Sequence, residues 1–329
     1  MKIFLKNKVL PLIASGISLQ RLIQKGGGPL IHIFYHTISD CYLPYIGPLY
    51  KPKLSKEFIE DIDFMFAHFK PVDIYRVLRH VKGEEIIDFP AFHLSFDDGL
   101  SNIFDVVSPI LQQREIPATI FVNSAFVDNK ELFFRHKAAL LIDALQRMPS
   151  DASYKVDEKL HSIGVKGNNL RQKLLHVNYL QRYILDDIAE YLSVDFIQFL
   201  KQERPYLDSE ELKILQTRGF SIGAHSIDHP KYSLLTREER ILQTIESCNF
   251  VAEQFGEKNK FFVFPFGDEG GDRTIFDELF GHVDLIFGIA GTKNEFSGRY
   301  IHRIDMELPS MAPERRIKKA LLTSWLKNL

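Results

Sequence analysis

"AFHLSFDDGL", residues 91–100, places two carboxylates side by side behind an apolar run and ahead of a glycine. Phe92, Leu94 and Phe96 alternate with His93 and Ser95, the period of a strand, and the Asp-Asp-Gly that follows has the composition of a tight turn. Asp97 and Asp98 thus stand at the C-terminal end of a strand. Successive strand residues point to opposite faces, so both carboxylates reach one pocket only if the turn bends the second one inward. The other reading is a solvated Asp-Gly turn.

On either side of this stretch the chain alternates strand-like and helix-like segments. "PLIHIFYHTI" reads as a strand ending near His36, and "LSKEFIEDIDFMFAHF" as a helix capped by Ser55 with Glu57 in its first turn. Downstream, "FDVVSPILQQRE" is a helix and "PATIFVNSAFV" a strand. "SEELKILQTRG" is then a helix stopped by Gly219, "FSIGAH" a strand, and "TREERILQTIESCNFVAEQFG" a helix ending at Gly256. "KFFVFPFG" and "VDLIFGIAG" add two more strands. Such alternation implies parallel strands, and six or seven β/α units favour a barrel over an open doubly wound sheet. Residues 29–310 are assigned to this α/β barrel and 311–329 to a C-terminal helix.

Residues 131–205 break the rhythm with helical stretches such as "ELFFRHKAALLIDALQRM" and no clear strand between them. They read as a helical insertion that packs as a subdomain, since so long a structureless loop is improbable. It leaves the barrel on the side where strands end. It can therefore cap the mouth of a site or pack against the outside, and the sequence leaves both open.

A length of 329 residues with 45% hydrophobic and 26% charged positions supports a globular chain with a sizeable core. The net charge of -2 and the scattered Lys and Arg residues argue against a nucleic-acid partner. Cys41 and Cys248 lack C-x-x-C spacing and suggest neither a disulfide framework nor a thiolate metal site, which fits a reducing compartment. Residues 1–28 read as an amphipathic helix: Val9, Leu10, Leu12, Ile13, Ile17, Leu22 and Ile23 recur at near-helical intervals among Lys6, Arg21 and Lys25. The helix docks on the domain or touches a membrane surface, so the expected location is cytoplasmic, with membrane association an option. A signal peptide, and hence secretion, is the less favoured alternative, because no A-x-A site follows.

"GFSIGAHSIDHP" sets His225 and His229 four residues apart at the end of another strand, where two imidazoles can converge on one ion. The pair alone is a modest signal, since many such histidines are surface or capping groups. A parallel barrel, however, gathers its strand ends on one rim, so these histidines would face the same mouth as Asp97 and Asp98. Two histidines and one carboxylate bind a catalytic metal with positions left open for water, and a second carboxylate remains as base.

"SFDDG", "HSIDHP" and "FPFGD" resemble, in order, the first three motifs of the polysaccharide deacetylase family, the metal-dependent sugar N-deacetylases of carbohydrate esterase family four. The resemblance spans about residues 30–305 and implies a distorted (β/α) barrel. It implies Asp97 as base and Asp98, His225 and His229 as ligands of one divalent ion, with zinc favoured and cobalt, nickel or manganese as alternatives. Where many members have an Arg two residues before the Pro of the third motif, this chain has Val263, and Arg303 in "YIHRIDM" is the candidate replacement. The aromatic Trp of the fourth motif has no counterpart, Trp325 being the only Trp. A permuted branch carries its late acid-bearing motif at the front, and "IFYHTISD" resembles it. His36 is therefore favoured over His302 as general acid, the more so because Arg303 would oppose a charged His302.

Those roles are chemically coherent. Amide hydrolysis needs a polarised carbonyl, an activated water and a proton for the departing amine. Phe266 and Gly267 can offer backbone N–H groups to an oxyanion, whereas Pro265 cannot. The resemblance implies an N-acetylated saccharide or glycolipid substrate in surface-polysaccharide or glycoconjugate metabolism. The alternatives are a metal amidohydrolase acting on a small non-sugar amide and a non-catalytic sugar-binding relative.

Overall fold

The alternating apolar runs form strands, and every strand pair is parallel. The computed structural model describes residues 10–26, 28–267, 273–293, 295–307 and 311–327. Its strands are β1 (Leu30–Tyr35), β2 (Lys70–Pro71), β3 (Ala91–Phe96), β4 (Ala118–Val122), β5 (Ser221–Ala224), β6 (Phe261–Val263), β7 (Leu285–Gly288), β8 (Tyr300–His302) and β9 (Ile304–Asp305). They are ordered β8-β7-β6-β5-β4-β3-β1-β9, with the two-residue β2 beside β3. Only Arg303 separates β8 from β9. This run pairs with β7 through its first half (His302 opposite Gly288) and with β1 through its second (Ile304 opposite Ile33), which closes the ring. The result is a distorted (β/α) barrel; six or seven strands were expected, and there are eight on the path, the closing strand being split at Arg303.

Side-chain parity divides the barrel into an inside and an outside. Ile31, Ile33 and Tyr35 of β1, Phe92, Leu94 and Phe96 of β3, and Ile120 and Val122 of β4 face the surrounding helices in the main core. The opposite parity fills the lumen. His32, His93, Phe121 and Phe287 meet there across four strands, with His93 and Phe287 stacked at 5.7 Å. Gly223 of β5 is on the lumen side, and a Cβ there would lie 2.4 Å from the Phe121 ring, so glycine is what lets that ring into the barrel. Ile74, Val77 and Leu78 of helix Ile74–Val81 belong to the same apolar cluster as the lumen residues.

Local signals explain the element ends. Helix Ser209–Thr217 begins in a capping box between Asp208 and Glu211, and helix Arg237–Phe255 in one between Thr236 and Glu239, ending at Gly256 in the left-handed conformation. Ser55 differs from its expected role. It is the first helical residue of Ser55–His68, its backbone N–H and hydroxyl both donating to Asp40, while Leu54 holds the cap position with its N–H on Glu57. Of the helix expected over residues 1–28, residues 1–9 lie outside the described residues; the described part forms two short helices, Leu10–Ser15 and Leu19–Lys25, broken around Gly16 where Ser18 caps the second. Both pack against helix Pro313–Lys327 near the C-terminus. Among the described residues, no helix is long and apolar enough to cross a membrane.

Within residues 131–205 the chain makes five α-helices: Phe134–Leu145, Ser150–Ser162, Leu170–His176, Ile184–Tyr191 and Phe196–Glu203. They contribute Leu141, Val156, Leu160, Leu174, Leu185 and Ile188 to the main core, so the insertion is continuous with the barrel's own packing.

Candidate active site

The parity that fills the lumen also delivers the chemistry. Asp97 continues the inward series Ala91, His93, Ser95, and its N–H bonds the Tyr35 carbonyl at 2.9 Å. Arg303 faces inward from the closing strand and holds both carboxylate oxygens of Asp97 at 2.7 Å, its Nη1 also reaching Ser95 Oγ at 2.9 Å. Arg303 is fully buried and lies against the rings of Phe34 and Phe121, so the sequence-level candidate does sit on Asp97. Burial alone would raise the Asp97 pKa; the charge and hydrogen bonds of Arg303 outweigh it, with His225 and His36 adding to the effect, and hold it below the usual carboxylate range.

Asp98 is on the other parity, and the turn corrects that. Its φ of 69° swings the side chain back toward the rim, where Oδ1 lies 3.3 Å from Nε2 of both His225 and His229. His225 donates Nδ1–H to the Val263 carbonyl at 3.0 Å, which leaves Nε2 as a bare lone pair in the neutral ring. Asn123 fixes the same turn through its amide on the His225 carbonyl, and Ser226 Oγ accepts the His229 N–H at 3.1 Å. Among the described residues, Asp98 Oδ1 and His229 Nδ1 are buried without a hydrogen-bond partner. Three converging acceptors, their ligand atoms all within 4.8 Å of one another, form a donor set suited to a cation, and these three residues could hold a metal. Of the nine non-glycine residues with positive φ among those described, Asp98, Ser226, His229 and Phe266 cluster here, the concentration of backbone strain expected at a functional site.

His36 extends the lumen parity of β1 by one step past the strand end. Its Nδ1 lies 2.6 Å from Glu307 Oε2, while Glu307 Oε1 accepts the backbone N–H groups of His36 and Thr37 at 2.7 and 2.8 Å. Burial would lower the His36 pKa, but the charge and hydrogen bond of Glu307, reinforced by Asp98 and Asp97, push it up to about 10. The imidazole side chain remains 30% exposed.

His302 lies elsewhere. It has the outward parity of β8, accepts the Ala290 N–H on Nδ1 at 3.0 Å and meets Glu295 through Nε2 at 2.8 Å, so both nitrogens are engaged away from the lumen. In the third motif, Gly267 turns its N–H back onto the Pro265 carbonyl at 2.6 Å, whereas the Phe266 N–H has no partner among the described residues. Gly267 is thus occupied, and Phe266 is the amide left to offer.

Glu307, Tyr50 and Phe133 were not singled out by sequence. Glu307 continues the inward series Arg303, Asp305, and that spacing was the available signal. Tyr50 brings its ring within 6.2 Å of His36 and buries a hydroxyl without a partner among the described residues. Phe133, where the helical insertion begins, packs its ring 4.4 Å from that of His229. The insertion therefore forms one wall of the rim.

A family model described as polysaccharide deacetylase matches residues 88–278. By structure the chain is similar to the Streptococcus pyogenes deacetylase PplD in complex with acetate, at 14% identity and a TM-score of 0.57 over 89% of this chain and 99% of that one. It is similar to IcaB from Ammonifex degensii at 16% identity and a TM-score of 0.56, over 90% of this chain and 98% of that one. A de-N-acetylase from Aggregatibacter actinomycetemcomitans aligns at 15% identity and a TM-score of 0.55 over 88% and 99% of the two chains. At these identities the likeness is one of fold. No curated protein matches the chain by sequence.

Proposed function

The chain belongs to the polysaccharide deacetylase family, and from that premise we propose that it hydrolyses the N-acetyl group of an amino sugar in surface-polysaccharide or glycoconjugate metabolism. The observation that carries this reading is the Asp97 carboxylate, clamped by Arg303 beside the Asp98–His225–His229 donor set. A protein that only bound sugar would have no use for an ionised carboxylate fixed there.

A divalent cation held by Asp98, His225 and His229, zinc in first place, would polarise the amide carbonyl and acidify a water molecule. The chain's own residues do the rest. Asp97 stays ionised because Arg303 is paired with it, and it accepts the proton of the attacking water; its bidentate clamp fixes the direction from which it does so. The Phe266 N–H donates to the oxygen that gains charge. His36, kept protonated through neutral pH by Glu307, gives a proton to the departing amine.

The test is acetate release from a panel of N-acetylated mono- and oligosaccharides by protein of defined metal content. Turnover that follows bound zinc and stops on chelation is expected. Metal-loaded protein that releases acetate from none of the panel, yet hydrolyses a small non-sugar amide, would replace this reading with that of a general amidohydrolase.

A further inference from the structure

The wall built by the helical insertion carries a cation that deacetylation leaves unused. Phe266, whose ring packs 4.6 Å from that of His229, also lines a cavity of about 380 Å³ between the barrel rim and the insertion. Arg135, one residue into helix Phe134–Leu145, lines it from the insertion side, its guanidinium carbon 5.8 Å from the centre of the Phe266 ring. Arg135 is half-buried, and among the described residues it makes no ion pair and no side-chain hydrogen bond. Among the described residues, the cavity lining contains no carboxylate. Asp228, the acid next behind Tyr179, is already held by the Tyr179 hydroxyl, by Gln243 and by Arg182.

A charge taken half out of water without a counter-ion is costly, and a guanidinium in that state is a fork of donors matched to a phosphate or carboxylate. We propose that this cavity receives an anionic group of the substrate, a phosphodiester or a carboxylate adjacent to the N-acetylated sugar, and that Arg135 is the residue that reads it. The inference rests on the deacetylase reading above and adds a substrate class to it: an acidic glycan rather than a neutral one.

The experiment compares kcat/KM for acetate release from three probes: N-acetylglucosamine linked to glucose, the same sugar linked to glucuronic acid, and its 1-(methyl phosphate) diester. The zinc-loaded full chain is expected to prefer at least one charged probe, and which one separates carboxylate from phosphate as the source. Arg135→Ala is expected to reduce the charged-to-neutral ratio by roughly ten- to a hundredfold, the scale of a hydrogen-bonded charge pair. Arg135→Lys should keep part of the ratio, with thermal unfolding showing that both variants are folded. Equal rates on all three probes with the native chain, or a ratio untouched in Arg135→Ala, would overturn the inference and leave the deacetylase reading standing. No acetate from any probe would fall on the deacetylase reading itself and take the inference with it.

Discussion

Arg303 and Asp97 are both buried, and each is tolerated only because the other is present. Removing one partner of such a pair leaves an uncompensated charge and costs about 3–5 kcal/mol. Arg303→Met should therefore destabilise the fold on that scale in denaturant unfolding at neutral pH. It should also release Asp97 to the effect of burial, moving the acidic limb of the rate–pH profile upward. The sign is fixed by the direction of the shift. Asp97 is held below its ordinary value of 3.8, so the pair's contribution is complete above that value and is lost as pH falls through the lowered pKa. His36 has the opposite sign. Its pKa is raised from 6.5 to about 10, so its pairing with Glu307 stabilises fully below 6.5 and is lost as pH rises through 10. Glu307→Gln should bring the His36 titration, followed by NMR, down toward its ordinary value, and the basic limb of the rate profile should move down with it. A basic limb unmoved in Glu307→Gln would remove His36 as the acid.

The strands were the legible elements, because parity is a property of sequence. Once "AFHLSF" is a strand, His93, Ser95 and Asp97 must share a face, and the same alternation places Arg303 inside and His302 outside. Asp98 was not settled by parity; its entry into the site depends on a left-handed backbone that the Asp-Asp-Gly composition permits without requiring. Glu307 lies two residues past the last strand, so the inward series Arg303, Asp305 points to it only if the alternation outlasts the strand. The insertion's helices were legible as helices, but an amphipathic face does not state which neighbour it meets, so its place on the rim became visible only with Phe133 against His229. The break at Gly16 is not legible in the sequence because the apolar spacing runs through it. The insertion's role at the rim has its own test. Phe133→Ala should cost about 3–5 kcal/mol as a buried aromatic and weaken metal binding by loosening the His229 ring, read as a higher zinc dissociation constant. An unchanged zinc affinity in a folded Phe133→Ala variant would reduce the insertion to packing.

Across the whole molecule the interior is polar in an unusual place, the barrel lumen. His32 and His93 face each other there at 3.5 Å between Nδ1 atoms, and His136, on the insertion's first helix, is buried beside the Tyr206 hydroxyl. Burial holds all three neutral, His32 and His136 with pKa values lowered to about 3 and His93 well below its ordinary value, while Arg303 adds to the effect at the lumen pair. An unfolded chain binds protons at these positions below pH 6.5 and the folded chain does not, so stability falls as pH drops from 6.5 toward 3. At pH 5 the loss is about 2 kcal/mol each for His32 and His136, and urea midpoints at pH 7 and pH 5 should differ accordingly, with His32→Gln narrowing the gap. The proposed role of Asp97 as a base beside a metal site is read from acetate release by Asp97→Asn and native protein at matched zinc occupancy. The expected result is one zinc per chain in both and turnover lower by ~10²–10⁴-fold in the variant. Native-level turnover by Asp97→Asn with its zinc in place would contradict it.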